Sequence, residues 1–274
     1  MAMSVITNTG AMIALQQLNK TNKSLDQVQQ RVTTGLKVNG PRDDASTYVI
    51  AQRMRGDISG MQAVKIALET AEATVGVALT AGQRVSDLLI EMKAKTVQAN
   101  QAGLDASART ALTNDFLALR DQIDTIVLSA EFNGVNLVKD GATDLKVLST
   151  VEGSTITVSA AAMQAITLQF GIPNTDLYTS ANAAQSLNIV NSALGMVSDK
   201  LAALGSAAKR IEIQSSFNMK LIDILKQGVG NLVDADLAQE AADLQSLQIR
   251  QQLGTQALSI ANQRPQSLLS LFSG

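Results

Sequence analysis

Apolar residues recur along this chain in stripes that step three and four residues alternately, the spacing of a helix face laid along another helix. The first stripe runs Ala11, Ala14, Leu18, Thr21, Leu25, Val28 and Val32. The longest begins at Val64 and passes Leu68, Ala71, Val75, Ala78, Gly82, Val85, Leu89 and Met92 to Thr96. It covers about 48 Å of helix at a rise of 1.5 Å per residue. A shorter stripe holds Leu112, Phe116, Leu119, Ile123 and Ile126. Towards the other end the pattern runs Leu187, Val190, Leu194, Val197, Leu201, Leu204, Ala208, Ile211, then resumes at Ile222, Leu225, Val229, Leu232.

The breaks between stripes carry their own signals. Gly35 suits a left-handed helix cap, Gly40-Pro41 marks a turn, and Asp43-Asp44 favour a new helix start. Asn133-Gly134 is a turn dipeptide. Gly76 and Gly82 each weaken an isolated helix by ~1 kcal/mol, so their presence predicts close approach of a neighbouring helix. Between Val135 and Phe170 the period changes to alternation, at Leu145 and Val147, at Thr155 to Val158, and at Ile166, Leu168 and Phe170. This predicts a small β region of two or three strands. Ser180-Ala-Asn opens a long C-terminal helical half, and Pro265 predicts a bend or restart near Arg264. The coarse map is three helices, a β insert and two helices.

The two ends pose a question that periodicity leaves open. Their stripes can pair within the chain as a coiled coil, or pack between copies. Charge tips the balance: residues 1–19 contain no Asp, Glu, Lys or Arg, and residues 251–274 contain only Arg264. Exposed helices normally carry a solvated polar face. Ends this bare are expected to be buried within an assembly and to order on assembly.

Composition narrows the chemistry. Hydrophobic residues make up 46% and aromatics 3%, with no Trp, so the apolar mass is the Ala, Leu, Val and Ile of helix seams. His and Cys are both absent, which removes Ser/His/Asp and Cys/His catalysis, imidazole and thiolate metal sites, and disulfides. Carboxylate, Lys or Tyr catalysis stays open on composition, but no constellation carries it. Asp43-Asp44 read as helix caps more readily than as an acid/base pair, Asp234 and Asp236 as caps or an inter-subunit contact more readily than as a metal site, and no phosphate-cradling glycine loop occurs. No cofactor or metal is expected. A net charge of −2, from 22 Lys+Arg and 24 Asp+Glu, gives no basic footprint for nucleic acid. No window is long and apolar enough to span a membrane, and the N-terminus lacks the charged start of a secretory signal. Taken plainly this suggests a cytosolic protein, with export by an uncleaved route as the exception.

Three segments resemble one family closely. QQRVTTGLKVNGPRDDASTYVIAQRMRGDI is similar to the N-terminal signature of bacterial flagellins, and QIDTIVLSAEFNGVNLV to their IDxIxxxTxFNGxxLL turn. DADLAQEAADLQSLQIRQQLGTQALSIANQRPQSLLSLF resembles their C-terminal ending. The match covers roughly residues 1–140 and 180–274, with several motifs in the right order. The resemblance implies a mainly α, elongated rod of antiparallel helices with a small β insert, whose terminal helices pair as a coiled coil. Residues 1–40 and 231–274 would be the two parts of a filament-core domain. Residues 41–230 would form the rod, with the β region at about 135–175 and no large outer domains.

It further implies a structural, non-enzymatic subunit that polymerises into the swimming filament. Export would run through the flagellar type III apparatus with a chaperone, and growth would proceed beneath a cap beside hook-associated proteins, placing the product outside the cell. Candidates for packing between subunits are Leu18, Leu25, Val28, Val32, Leu244, Leu247, Leu253, Leu258, Leu268 and Leu269. Two departures stand out. The segment Gln83 to Met92, QRVSDLLIEM, only partly follows the family's QRxRELAVQ pattern, which puts innate immune receptor binding in doubt. GVGNLVDAD lacks the Arg of the usual SRIxDxD pattern, which puts a salt bridge there in doubt. The hook–filament junction protein shares the terminal architecture, but the ANQRPQSLLSLF ending favours flagellin.

Overall fold

The stripes become helices where their caps allow. The structure, a computed structural model, describes residues 8–164 and 177–272, with side chains as far as residue 263. Helix α1 spans Thr9–Thr34 and ends at Gly35, whose φ of 71° lets its N–H reach the Arg31 carbonyl at 2.8 Å. Helix α2 spans Ala45–Ala99, α3 Ala106–Ser129, α4 Ser180–Val233 and α5 Leu237–Phe272. Strands β1, Leu145–Leu148, and β2, Thr155–Val158, form an antiparallel hairpin in which Leu145 faces Val158 and Val147 faces Ile156. The third expected strand, at Ile166, Leu168 and Phe170, lies outside the described residues.

The chain divides into two compact units, one of Met1–Gly56 with Ile224–Gly274, the other of Asp57–Asp223. The second unit holds a continuous apolar core. All ten positions of the longest stripe, from Val64 to Thr96, are buried. Phe116, Ile123 and Val127 join them from α3, and Val190, Val197, Leu204 and Ile211 from α4. The gap the sequence shows between Ile211 and Ile222 is no gap in the seam. Ser215 and Asn218 occupy the missing steps and are buried, and the Asn218 side-chain amide donates to the Met61 carbonyl at 2.8 Å. A satisfied polar step of this kind holds two helices in one register where apolar steps would allow sliding.

The two mid-helix glycines differ. A Cβ at Gly82 would lie 2.7 Å from Leu201 Cδ2 and 2.8 Å from Met163 Cε, so close packing explains that residue. Gly76 has nothing within 4 Å and is exposed, so the close approach expected there is absent.

Polar groups finish the ends of these helices. The buried Arg109 donates to the Ala99 and Gln101 carbonyls, placing its charge on the negative end of α2. Asn133 and Gly134, at φ of 50° and 80°, make the two-residue turn their sequence predicts, with Phe132 and Val135 exchanging both backbone hydrogen bonds. Asn136 just beyond is buried. Its amide donates to the Val127 carbonyl at 2.8 Å, and its oxygen accepts from the N–H groups of Val138 and Lys139 at 2.9 Å. The chain after β2 then returns, with Ala161 and Met163 donating to Leu137 and Val138 at 2.8 Å.

Pro265 does not break α5, which runs through it to Phe272. Of the bend or restart expected near Arg264, the restart does not occur. A proline removes one helical hydrogen bond, which other contacts can outweigh.

Candidate assembly site

Helices α1 and α5 pair inside the first unit. Four contacts mark the seam. The Asn8 amide donates to the Ala261 carbonyl at 2.8 Å, and Leu18 packs on Gly254, where an added Cβ would meet Leu18 Cδ1 at 3.2 Å. Further along, the Gln251 amide donates to Asn22 Oδ1 at 2.9 Å, and Arg31 Nη1 meets Glu240 Oε1 at 3.1 Å. Position rises along α1 as it falls along α5, so the pair is antiparallel. The ends thus meet within one chain, the plainer of the two arrangements the sequence leaves open.

The first stripe faces this seam as its spacing predicts. Thr21 and Val28 are buried, while Ala11, Ala14, Leu18, Leu25 and Val32 are half-buried. Among the other packing candidates, Leu244, Leu247 and Leu258 are half-buried and Leu253 is 57% exposed. Leu268 and Leu269 lie beyond the described side chains. Two helices alone cannot enclose an apolar core, and the remainder shows on the outside. Met12, Ile13, Leu15, Ile249 and Ile260 are all exposed, Ile13 at 67%. Covering a Leu or Ile side chain of this kind contributes ~1.5–3 kcal/mol.

A junction absent from the sequence reading closes the other end of the pair. The chain leaving α1 meets the break between α4 and α5. The N–H groups of Lys37 and Val38 reach the Val233 carbonyl at 2.7 and 3.3 Å, and Ala235 N–H reaches the Gly35 carbonyl at 2.9 Å. The carbonyl at the end of α4 and the cap residue of α1 are thereby satisfied together. Local sequence carries no sign of this, because its partners lie far apart in the chain. The ion pair across these elements is Arg31–Glu240.

The paired aspartates act as caps. Asp44 Oδ1 accepts from the N–H groups of Ser46 and Thr47 at 3.0 and 3.1 Å, and Asp43 Oδ2 closes the preceding turn on Asn39 and Gly40. Asp236 Oδ1 accepts from Ala238 and Gln239 at the start of α5, and Asp105 Oδ1 from Ala108 at the start of α3. No group of three or more His, Cys, Asp or Glu residues that could hold a metal occurs among the described residues. No described helix is long and apolar enough to cross a membrane.

Two caps have shifted acidity. Hydrogen bonds from the Thr47 hydroxyl and then its backbone hold Asp44 below the ordinary carboxylate value, and the Ala108 N–H followed by the Ser107 hydroxyl does so for Asp105. A carboxyl depressed in the folded state adds stability above its unfolded value, and that contribution is lost as pH falls through the folded one. The first turns of α2 and α3 are therefore expected to fray as pH drops below about 3.8, the unshifted value. Faster amide exchange at Thr47 and Ala108 in acid, beyond the change in intrinsic rate, checks this. Unchanged protection at both would refute it.

Comparison with known proteins fits this arrangement. The model of the bacterial flagellin N-terminal helical region matches residues 5–143, and that of the C-terminal helical region residues 187–272. The chain is 44% identical to flagellin FljM of Caulobacter vibrioides, covering 98% of both chains. It is 36% identical to a flagellin of Brucella melitensis, covering 99% of both. A solved structure of a putative flagellar hook-associated protein from Vibrio parahaemolyticus shares the fold at 14% identity, with a TM-score of 0.57 over 70% of this chain and all of that one.

Proposed function

This chain belongs to the bacterial flagellin family, and we propose that its α1–α5 pair is the part that packs between copies. The protein is a structural subunit of the flagellar filament, and the junction-protein alternative is not favoured, because identity to flagellins extends over the full chain. The family is structural, and its filament is extracellular.

The observation that carries the assembly reading is the unfinished core of the first unit. α1 and α5 use their stripes on each other and leave Met12, Ile13, Leu253 and Ile260 exposed, on segments nearly free of charge. A lone subunit has nothing to set against those faces, whereas a lattice of copies does. In this reading residues 1–40 and 231–274 make the filament core and residues 41–230 the rod. Leu18, Leu25, Val28 and Val32 hold the pair together, while Leu253 points to a neighbour. The uncharged ends order fully when they gain that surface.

Delivery follows from the family likeness. That likeness suits export through the flagellar type III apparatus with a chaperone, then growth under a cap and beside hook-associated proteins. Electron microscopy of purified protein seeded with filament fragments tests the central claim. Filaments are expected; their absence across salt and concentration would overturn it.

A further inference from the structure

Pro265 stands inside α5, and proline has no backbone N–H. In an α-helix the carbonyl four residues earlier takes that N–H, so the carbonyl of Ala261 is left without its usual donor. The donor it has comes from the opposite end of the chain. Asn8, the residue that caps α1, places its side-chain nitrogen 2.8 Å from the Ala261 oxygen, across 253 residues of sequence. Its side-chain oxygen accepts from the Ala11 N–H at 3.0 Å. The two contacts settle the orientation of the amide, because Ala11 N–H can only donate and a carbonyl can only accept.

We propose that Asn8 is a register clip for the chain's two ends, recognising the one carbonyl that Pro265 leaves open. The seam's other directional contacts, Gln251 with Asn22 and Arg31 with Glu240, lie further along the pair, so its open end relies on apolar packing. Its apolar steps, such as Leu18 against Gly254, carry little directional bonding and tolerate sliding by a turn. One turn away along α5, the Ala257 carbonyl already has a helical donor in the Ala261 N–H, so a slipped Asn8 finds no comparable acceptor. Pro265 thus acts as an address, and the Asn8 amide reads it. An aspartate at position 8 would cap α1 equally well, but would set a second acceptor against the carbonyl.

The test separates capping from clipping. Asn8→Ser keeps a side-chain oxygen to cap α1 but removes the amide that reaches Ala261. Pro265→Ala returns a helical N–H to that carbonyl. Hydrogen exchange of the full-length chain is followed by mass spectrometry at residues 9–15 and 257–263, both free and polymerised, for each single variant and the double variant. Asn8→Ser is expected to speed exchange in both segments about fivefold in at least one state, the size of one net hydrogen bond. In the Pro265→Ala background the same change should be less than about twofold, since the carbonyl is then satisfied within α5. A change confined to residues 9–15 would mean a cap alone and overturn the clip. So would equal changes in both backgrounds, or none in either state. The free-chain arm stands even if no filament forms, so failure of the clip and failure of the assembly reading are distinguishable.

Discussion

Deleting residues 1–35 is expected to abolish polymerisation while residues 57–223 keep their helical fold, and deleting residues 240–274 to do the same. Either deletion removes one member of the α1–α5 pair and turns the stripe of the survivor to water. Without residues 240–274, Thr21 and Val28 lose their cover; without residues 1–35, Glu240 and the half-buried Leu244, Leu247 and Leu258 lose theirs. The second unit has its own core around Leu68, Met92, Phe116 and Ile211, so its circular dichroism signal should persist. Leu253→Asp is the sharper version. Leu253 is already 57% exposed in the single chain, so the monomer should melt as the wild type does. In a lattice the new carboxylate loses water without gaining a partner, a cost of several kcal/mol repeated in every subunit. Electron microscopy and sedimentation read the outcome. Normal filaments from the deletions, or from Leu253→Asp, would sink the assignment of this face to neighbours.

The second large effect is inside the rod. Phe116→Ala is expected to destabilise the second unit by about 3–5 kcal/mol, because a ring with 1% exposure leaves a cavity that packed helices cannot fill. For a unit of this size each kcal/mol lowers the melting temperature by roughly 2–4 °C, so calorimetry should show a fall of about 10 °C. A drop of under about 2 °C would mean that the site collapses around the smaller side chain, contrary to close packing of α3 in this core.

Much of the architecture was readable from one dimension, because helix faces and caps are local physics. Alternate steps of three and four keep one face turned inward for as long as the helix lasts, which is why every stripe position from Val64 to Thr96 is buried. Gly35, Asp44, Asp236 and Asn133-Gly134 act within a few residues of themselves, so their roles survive folding unchanged. Bareness of charge at the ends is likewise a property of sequence.

What periodicity cannot name is the partner of a face. The same stripe from Ala11 to Val32 serves a helix of its own chain or of a neighbour, and only the tertiary structure pairs it with α5. Asn136 and the polar step at Ser215 and Asn218 look like loop or surface residues until the carbonyls of Val127 and Met61 are placed beside them, although the unbroken spacing of 211, 215, 218 and 222 was a signal in plain phase. Gly76 and Gly82 read alike and differ because only one meets a crossing side chain. Pro265 is the clearest case. Locally it forbids a hydrogen bond and predicts a bend or restart; in the fold α5 continues without a restart and the open carbonyl is met by Asn8. The sequence by itself determined which faces are apolar, where the glycine and aspartate caps set helix ends, and which His- and Cys-based chemistries are ruled out. The tertiary structure alone decided which distant groups meet, because a donor and an acceptor separated by most of the chain leave no mark on the spacing around either.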